Sequence, residues 1–360
     1  HIDLCLGCRA CETACPSGVR FGNMMEDMRA HIVEARTPNF ISTIVLKHVF
    51  PYPGRFHIAA RLLQLYRKSG LSQILRTTGL LKRFAPAYVQ AEEMTPEVEF
   101  SSGVRGGNVY PARGRREGTV FFLSGCVMNS LLGAVNRATV GLITAAGYDV
   151  AVPADQICCG ALASHAGFRE TATNMARSNV AAFSAPDVDA IIVNASGCSA
   201  MLAEYPLLID GAEELSAKVM DVSSFLASTS IQARLNRRLE LRVGYDDPCH
   251  LIHAQGVSSA PRELLSRVQG LSLIQIAGAD ECCGSAGVYN LTEPELSMKI
   301  LDRKMENVRV ANLDVLVTGN PGCLFQLQYG VRRHGLDLEV VHIAEFLSRA
   351  LGNTLIDSES

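Results

Sequence analysis

Ala154-Asp155-Gln156-Ile157-Cys158-Cys159-Gly160 is answered, later in the same chain, by Ala279-Asp280-Glu281-Cys282-Cys283-Gly284. Working outward, Phe121, Phe122 and Leu123 lead into Gly125 and Cys126, as Val243, Gly244 and Tyr245 lead into Pro248 and Cys249. Asp189 to Val193 runs on to Gly197 and Cys198, as Asp314 to Val317 runs on to Gly322 and Cys323. The segment from Val219 to Leu226 recurs as Val340 to Leu347. These four landmarks keep offsets of 121 to 125 residues. Chance similarity does not hold register through four landmarks, so the later part of the chain is an internal duplication.

Each copy reads as α/β. From Gly118 onward, short β-branched runs such as Val120 to Leu123 alternate with helical periodicity at Leu131, Leu132, Val135, Leu142 and Ile143. That alternation indicates a largely parallel sheet covered by helices. Every cysteine of the repeat directly follows a predicted strand or its exit loop. In a doubly wound sheet the strand C-termini converge on the crevice where ligands bind. Cys126, Cys158, Cys159 and Cys198 are therefore expected to meet in one copy, and Cys249, Cys282, Cys283 and Cys323 in the other. Gly160 and Gly284 would let the backbone approach bulky inorganic sulfur or take a positive φ. Buried structural cysteine is the bland alternative, and adjacent pairs repeated in register weigh against it.

A denser motif opens the chain. Cys5, Cys8, Cys11, Cys15 and Pro16 form C-x2-C-x2-C-x3-C-P, the spacing of bacterial ferredoxin [4Fe–4S] ligands. A tight turn points thiolates two residues apart at successive irons and frees backbone N–H groups for the cluster sulfurs, and Pro16 ends the turn. Zinc knuckles use paired C-x2-C units separated by a longer loop instead. In two-cluster ferredoxins the fourth cysteine of each run ligates the other cluster. Cys15 is then expected to serve a cluster whose remaining ligands precede His1, so the sequence is expected to lack its true N-terminus; were His1 the start, the four cysteines would have to close one cube among themselves.

The expected layout is a partial ferredoxin-like segment with helices over residues 1–90, a linker over 91–117, and two homologous modules over 118–235 and 236–360. Pro51, Pro53 and Gly54 break the helical region. The 360 residues are 48% apolar, enough for two or three compact domains. No apolar stretch approaches the eighteen or so residues needed to span a bilayer, and no signal-peptide pattern opens the chain. Four of the twelve cysteines fall between Cys5 and Cys15, a density that favours metal binding in a reducing, cytoplasmic setting over disulfides. The net charge of −3 and sparse aromatics give no basis for nucleic-acid binding.

That balance hides a local asymmetry. Between Glu34 and Glu92 there is no acid, yet there are nine bases: Arg36, Lys47, Arg55, Arg61, Arg67, Lys68, Arg76, Lys82 and Arg83. Ile58, Leu62, Leu65 and Tyr66 fall at helical spacing, as do Leu71, Ile74 and Leu75. Residues 36–83 are expected either to dock on anionic lipid or an acidic partner, or to form a solvated helical face packed on the modules.

Taken together, these motifs resemble the glycolate oxidase iron–sulfur subunit family. Its cysteine-rich "CCG" modules are like those of the heterodisulfide reductase B subunit family, and relatives occur in lactate-utilisation complexes and anaerobic glycerol-3-phosphate dehydrogenase. The resemblance covers essentially the whole chain. It implies an α/β fold of two tandem homologous Rossmann-like CCG modules preceded by a helical ferredoxin-like [4Fe–4S] segment. It further implies that a separate FAD flavoprotein subunit oxidises a 2-hydroxy acid such as glycolate. Its electrons would pass through [4Fe–4S] clusters, two in the full-length protein, toward a quinone-type acceptor at the inner face of the cell membrane. The CCG cysteines would hold further iron–sulfur or zinc.

One departure bears on chemistry. The full CCG pattern ends in C-x-x-C, and here Met201 and Gln326 occupy the last positions. A thioether is a weak ligand and an amide weaker still, so a heterodisulfide reductase-like catalytic role is not expected. A zinc-stabilised scaffold is the other competing reading. His250 and His253 are expected to hydrogen-bond in a polar loop after Asp246 and Asp247, with ligation or proton transfer as the alternative. No GxGxxG, P-loop or Ser-His-Asp arrangement is visible, so no catalytic residue is assigned.

Overall fold

The computed structural model describes residues 1–35, 40–79, 83, 103–185 and 187–351. Its later part contains two sheets. The first joins β1 (Val109–Tyr110), β2 (Gly118–Leu123), β3 (Tyr148–Ala151), β4 (Ala190–Val193) and β5 (Val219–Asp221) in the order β1-β3-β2-β4-β5. The second joins β6 (Arg242–Asp246), β7 (Ser272–Ile274), β8 (Val315–Thr318) and β9 (Glu339–His342) in the order β7-β6-β8-β9. Without β1 the two orders are the same, and every pairing but that of β1 is parallel. The duplication read from the sequence is thus a duplication of topology. β4 and β8 are buried at every residue, as expected of parallel strands covered on both faces. Within the stretch read as a linker, Val109–Tyr110 pairs antiparallel with β3; residues 91–102 lie outside the described residues.

The two sheets share one core. Val120, Phe122, Val150 and Ile192 of the first belong to the same buried cluster as Val243, Tyr245, Val315 and Val341 of the second. The cause is a reciprocal exchange of helices. Ile343–Ala350, which ends the second half, packs on Gly133–Ala145 of the first, while Val222–Ala227 of the first packs on Ser259–Ser266 of the second. The repeat offset carries one contact onto the other, so the halves are related by a pseudo-two-fold. His342 pins the junction: its Nε2 donates to Asn194 O at 2.9 Å, and its Nδ1 accepts from Ala344 N at 3.2 Å, capping the last helix.

The N-terminal segment lies across both halves. Arg29, on the Phe21–Ala35 helix, donates to His165 O at 2.7 Å and to Cys5 O at 2.6 Å. Arg9 pairs with Glu12 and with Glu204 of the first half. Thr13 Oγ1 meets His253 Nδ1 of the second half at 3.0 Å, and Tyr289 Oη donates to Leu4 O at 3.1 Å.

After the expected break, Pro53 opens a helix that runs to Lys68, where a missing N–H costs nothing. That helix lies against the Cys126–Leu131 helix and buries Phe56 and Ala60. Ile58, Leu62 and Leu65, whose spacing marked the segment as amphipathic, instead face outward at 60%, 61% and 65% exposure. Among the described residues no helix is long and apolar enough to cross a membrane.

Candidate metal centres

The thiols of each half gather where the topology predicts. Cys126 opens a helix directly after β2, with Gly125 before it at φ 68°. Cys158 and Cys159 are buried in the loop after β3, and Cys198 sits in the helix after β4. Cys126 Sγ lies 3.4 Å from Cys158 Sγ, and Cys159 Sγ lies 3.2 Å from Cys198 Sγ. In the second half Cys249 opens the helix after β6, Cys282 and Cys283 lie buried beyond β7, and Cys323 lies in the helix after β8. The same pattern of thiol contacts runs from Cys249 to Cys282, and from Cys283 to Cys282 and Cys323.

Glycine is required beside each pair. Gly160 and Gly284 both adopt φ 89°, and a Cβ on Gly284 would meet Ser297 O at 2.6 Å. The left-handed conformation turns the chain sharply after the second cysteine. Backbone amides face sulfur in these motifs: Gly284 N donates to Cys282 Sγ and Gly7 N to Cys5 Sγ, each at 3.4 Å.

The electrostatics of the two groups are parallel. Hydrogen bonding to Cys158, then burial, pushes the Cys126 and Cys159 thiols well up, while contact with Cys126 pulls Cys158 well down. Cys249, Cys283 and Cys282 repeat the pattern. In each group one thiol is drawn down by hydrogen bonds from its neighbours while those neighbours are pushed up. Among the described residues no three His, Cys, Asp or Glu side chains surround a point where a single ion would sit; the thiols of each half lie in contact with one another. Their chemistry fits a bound group, because four sulfurs without a carboxylate make a soft donor set suited to iron–sulfur or zinc.

The N-terminal motif is more open. Cys11 is exposed, and Cys5, Cys8 and Cys15 are half-buried. Burial pushes Cys8 up, and Cys5, Cys11 and Cys282 add to the rise. Cys15 is drawn down by the backbone amides of Val19, Ser17 and Gly18. The motif thus abuts the thiols of the second half.

His250 and His253 occupy the Cys249–Gln255 helix rather than a loop. His253 bonds to Thr13 and to Asp280 O. His250 is half-buried, its Nε2 is shut off from solvent without a hydrogen-bond partner among the described residues, and desolvation pushes the ring down to about 3. Its ring lies 5.1 Å from that of His165, which meets Glu26 at 2.6 Å. The sequence reading missed His165, Glu26 and the buried pair of Lys304 with Asp246, each of which depends on long-range contact. The local signals were Asp246-Asp247 at the end of a strand and the placing of Lys304 at helical spacing between Leu301 and Val308.

Met201 and Gln326 are both buried. Gln326 is engaged, donating to Ser297 Oγ at 3.1 Å and accepting from Asn290 Nδ2 at 3.3 Å.

Two parallel sheets with four thiols at the strand ends of each define a tandem cysteine-rich-domain protein, and residues 120–203 and 243–328 match the cysteine-rich domain family. Residues 37–95 match the linker region of the glycolate oxidase iron–sulfur subunit. The chain is 39% identical to the probable glycolate oxidase iron–sulfur subunit of Bacillus subtilis (strain 168), over 98% of this chain and 83% of that protein. It is 31% identical to the glycolate oxidase iron–sulfur subunit of Escherichia coli (strain K12), over 94% and 81%. It is also 31% identical to lactate utilization protein A of Oceanobacillus iheyensis, over 62% of this chain and 93% of that one. The chain belongs to the glycolate oxidase iron–sulfur subunit family.

Proposed function

We propose that this chain is the electron-transfer subunit of a 2-hydroxy-acid dehydrogenase complex, with substrate oxidation on a separate FAD flavoprotein subunit and electrons leaving toward a quinone-type acceptor. The observation that carries the reading is the convergence of four thiols at the strand ends of each half, in a chain of this family. Cys126, Cys158, Cys159 and Cys198 would hold one metal group, Cys249, Cys282, Cys283 and Cys323 another, and Cys5, Cys8, Cys11 and Cys15 would ligate [4Fe–4S] clusters. Bound clusters supply one-electron storage and transfer at potentials set by charge, burial and hydrogen bonds to sulfur. The chain's own part is to exclude water from the buried thiols and to turn the backbone at Gly160 and Gly284. The Gln326 contacts speak against disulfide reduction, since that side chain is committed to Ser297 and Asn290.

The test is anaerobic purification with iron and sulfide analysis, then EPR of the dithionite-reduced protein. Iron with a reduced-cluster signal, lost stepwise in Cys8→Ser and Cys282→Ser variants, is the expected result. Zinc alone, which is EPR-silent, would leave the scaffold reading in its place.

The Pro53–Lys68 helix supports a docking role within the complex's setting. Its outward stripe of Ile58, Leu62 and Leu65 is accompanied by exposed Arg55, Arg61 and Lys68, in a stretch without acids. An apolar stripe beside bases is what an anionic lipid surface binds. Such docking would bring the Cys126–Leu131 helix, and with it the first thiol group, toward the membrane. Arg36 and Lys82 lie outside the described residues.

A further inference from the structure

The floors beneath the two thiol groups differ in charge. In the second half Lys304, on the Pro294–Ala311 helix, is 4% exposed. Its ammonium donates to Asp246 and, at 3.0 Å, to Ala279 O. The other Asp246 oxygen accepts from Thr318 Oγ1 at 3.2 Å. Each partner stands just ahead of a thiol: Asp246 before Cys249, Ala279 before Cys282 and Cys283, and Thr318 before Cys323. One buried ion pair therefore ties together all three segments that carry the second group. Burial opposes the charge on Lys304, but Asp246, Cys283 and Cys323 outweigh it and hold the ammonium above its ordinary range.

The first half builds the same floor from neutral groups. The repeat places Leu123 opposite Asp246, Val193 opposite Thr318 and Asn179 opposite Lys304. Asn179 accepts from Ile157 N at 2.9 Å and donates to Cys158 O at 3.1 Å. Gln156 accepts from Ser124 N at 2.7 Å and donates to Phe122 O at 3.1 Å.

We propose that Lys304 is a tuning residue that makes the second half's metal group the easier of the two to reduce, through a buried cation where the first half carries Asn179. The inference rests on the iron–sulfur reading. One-electron reduction adds a negative charge to the group and removes one electron from its donor, with no bond made or broken. A cation nearby in a low-dielectric interior stabilises that added charge far more than one in water. Asp246 offsets part of the effect, but the ammonium is the charge that acts on Cys282, Cys283 and Cys323. The second half is also the side against which the N-terminal cysteines pack, through Thr13 to His253 and Leu4 to Tyr289. Its group is then both the nearer and the more favourable resting place for an electron entering there.

The experiment is an EPR-monitored redox titration of the full polypeptide with reconstituted iron and sulfide, the second-half signal being assigned by its loss in Cys282→Ser. The second-half group is expected to titrate above the first. Lys304→Gln combined with Asp246→Asn removes both charges and keeps the hydrogen-bond donors. It should lower the second-half midpoint by at least about 59 mV, a tenfold change in a one-electron equilibrium, and leave the first unmoved. Lys304→Gln alone, which leaves Asp246 unpaired, should lower it further, and Lys304→Arg should retain most of the parent value. An unmoved midpoint in the neutral pair, a first-half group that titrates higher, or loss of second-half iron from the neutral pair would each overturn the proposal. Iron bound with equal midpoints removes this inference only, whereas a parent protein that binds no iron removes the iron–sulfur reading with it.

Discussion

His342 shows how a single side chain can set the pH response of a junction. It is fully buried, and burial pushes it down to about 4, against the pull of its contacts with Asn194 and Gly319. Unfolded, the same side chain titrates near 6.5. The folded state therefore favours the neutral ring, and the contribution is fully present above about pH 6.5 and lost as pH falls toward 4. Between pH 7.5 and pH 5 the loss amounts to about 2 kcal/mol. Buried Asp221, which burial pushes up to about 6, acts in the opposite direction over the same range, so the raw stability of the parent will not isolate His342. The measurement is urea unfolding of the parent and of His342→Gln at both pH values. The stability gap between them should shrink by about 2 kcal/mol at the lower pH, and a gap independent of pH would refute the assignment. At this scale the sequence was legible where chemistry is local: the Cys-Cys-Gly triplets marked their own turns. Lys304 was not, because its partner Asp246 stands 58 residues away, although its place three residues after Leu301 and four before Val308 sets it on the helix's buried face.

Among the elements, the Pro53–Lys68 helix separates what periodicity can and cannot say. Spacing identified a helix with an apolar stripe, but a stripe at helical spacing ordinarily packs inward. Here Phe56 and Ala60, which complete no long stripe, supply the buried face, and Ile58, Leu62 and Leu65 supply the exposed one. Which face is covered depends on the neighbouring Cys126–Leu131 helix, and no local pattern encodes that. Because the three side chains are already exposed, Ile58→Ser, Leu62→Ser and Leu65→Ser together should change stability by well under what core substitutions cost. Flotation with vesicles rich in anionic lipid is the measurement. The parent should float at low salt and less at high salt, since charge attraction is screened over roughly 10 Å at 0.1 M, and the triple variant should stay in the dense fraction. A variant that floats as well as the parent would leave the helix as a solvated face, and docking to the flavoprotein would be the next thing to test by pull-down.

For the whole molecule the exchange of helices decides how it unfolds. Phe346 is fully buried in the core that both sheets share, on the helix that packs against Gly133–Ala145. Phe346→Ala should cost about 3–5 kcal/mol, and the cost should be felt in both halves. Amide exchange should therefore quicken in β2 and β4 as well as in β8 and β9. Exchange that quickens in the second half alone would mean that the halves are independent. The duplication was readable in the sequence from four landmarks in register, and the sameness of the two sheet orders followed from it. The exchange was not readable, because nothing in Val222–Ala227 or Ile343–Ala350 states which copy its apolar face covers.

That exchange also says something about descent. A protein made of one such half would have had its final helix reaching for a surface it did not own, and a second copy of itself would have supplied that surface through a self-complementary contact. In such a symmetric pair every substitution is made twice, once in each site. In one chain that constraint is absent, and a lysine can stand beneath one set of thiols with an asparagine beneath the other.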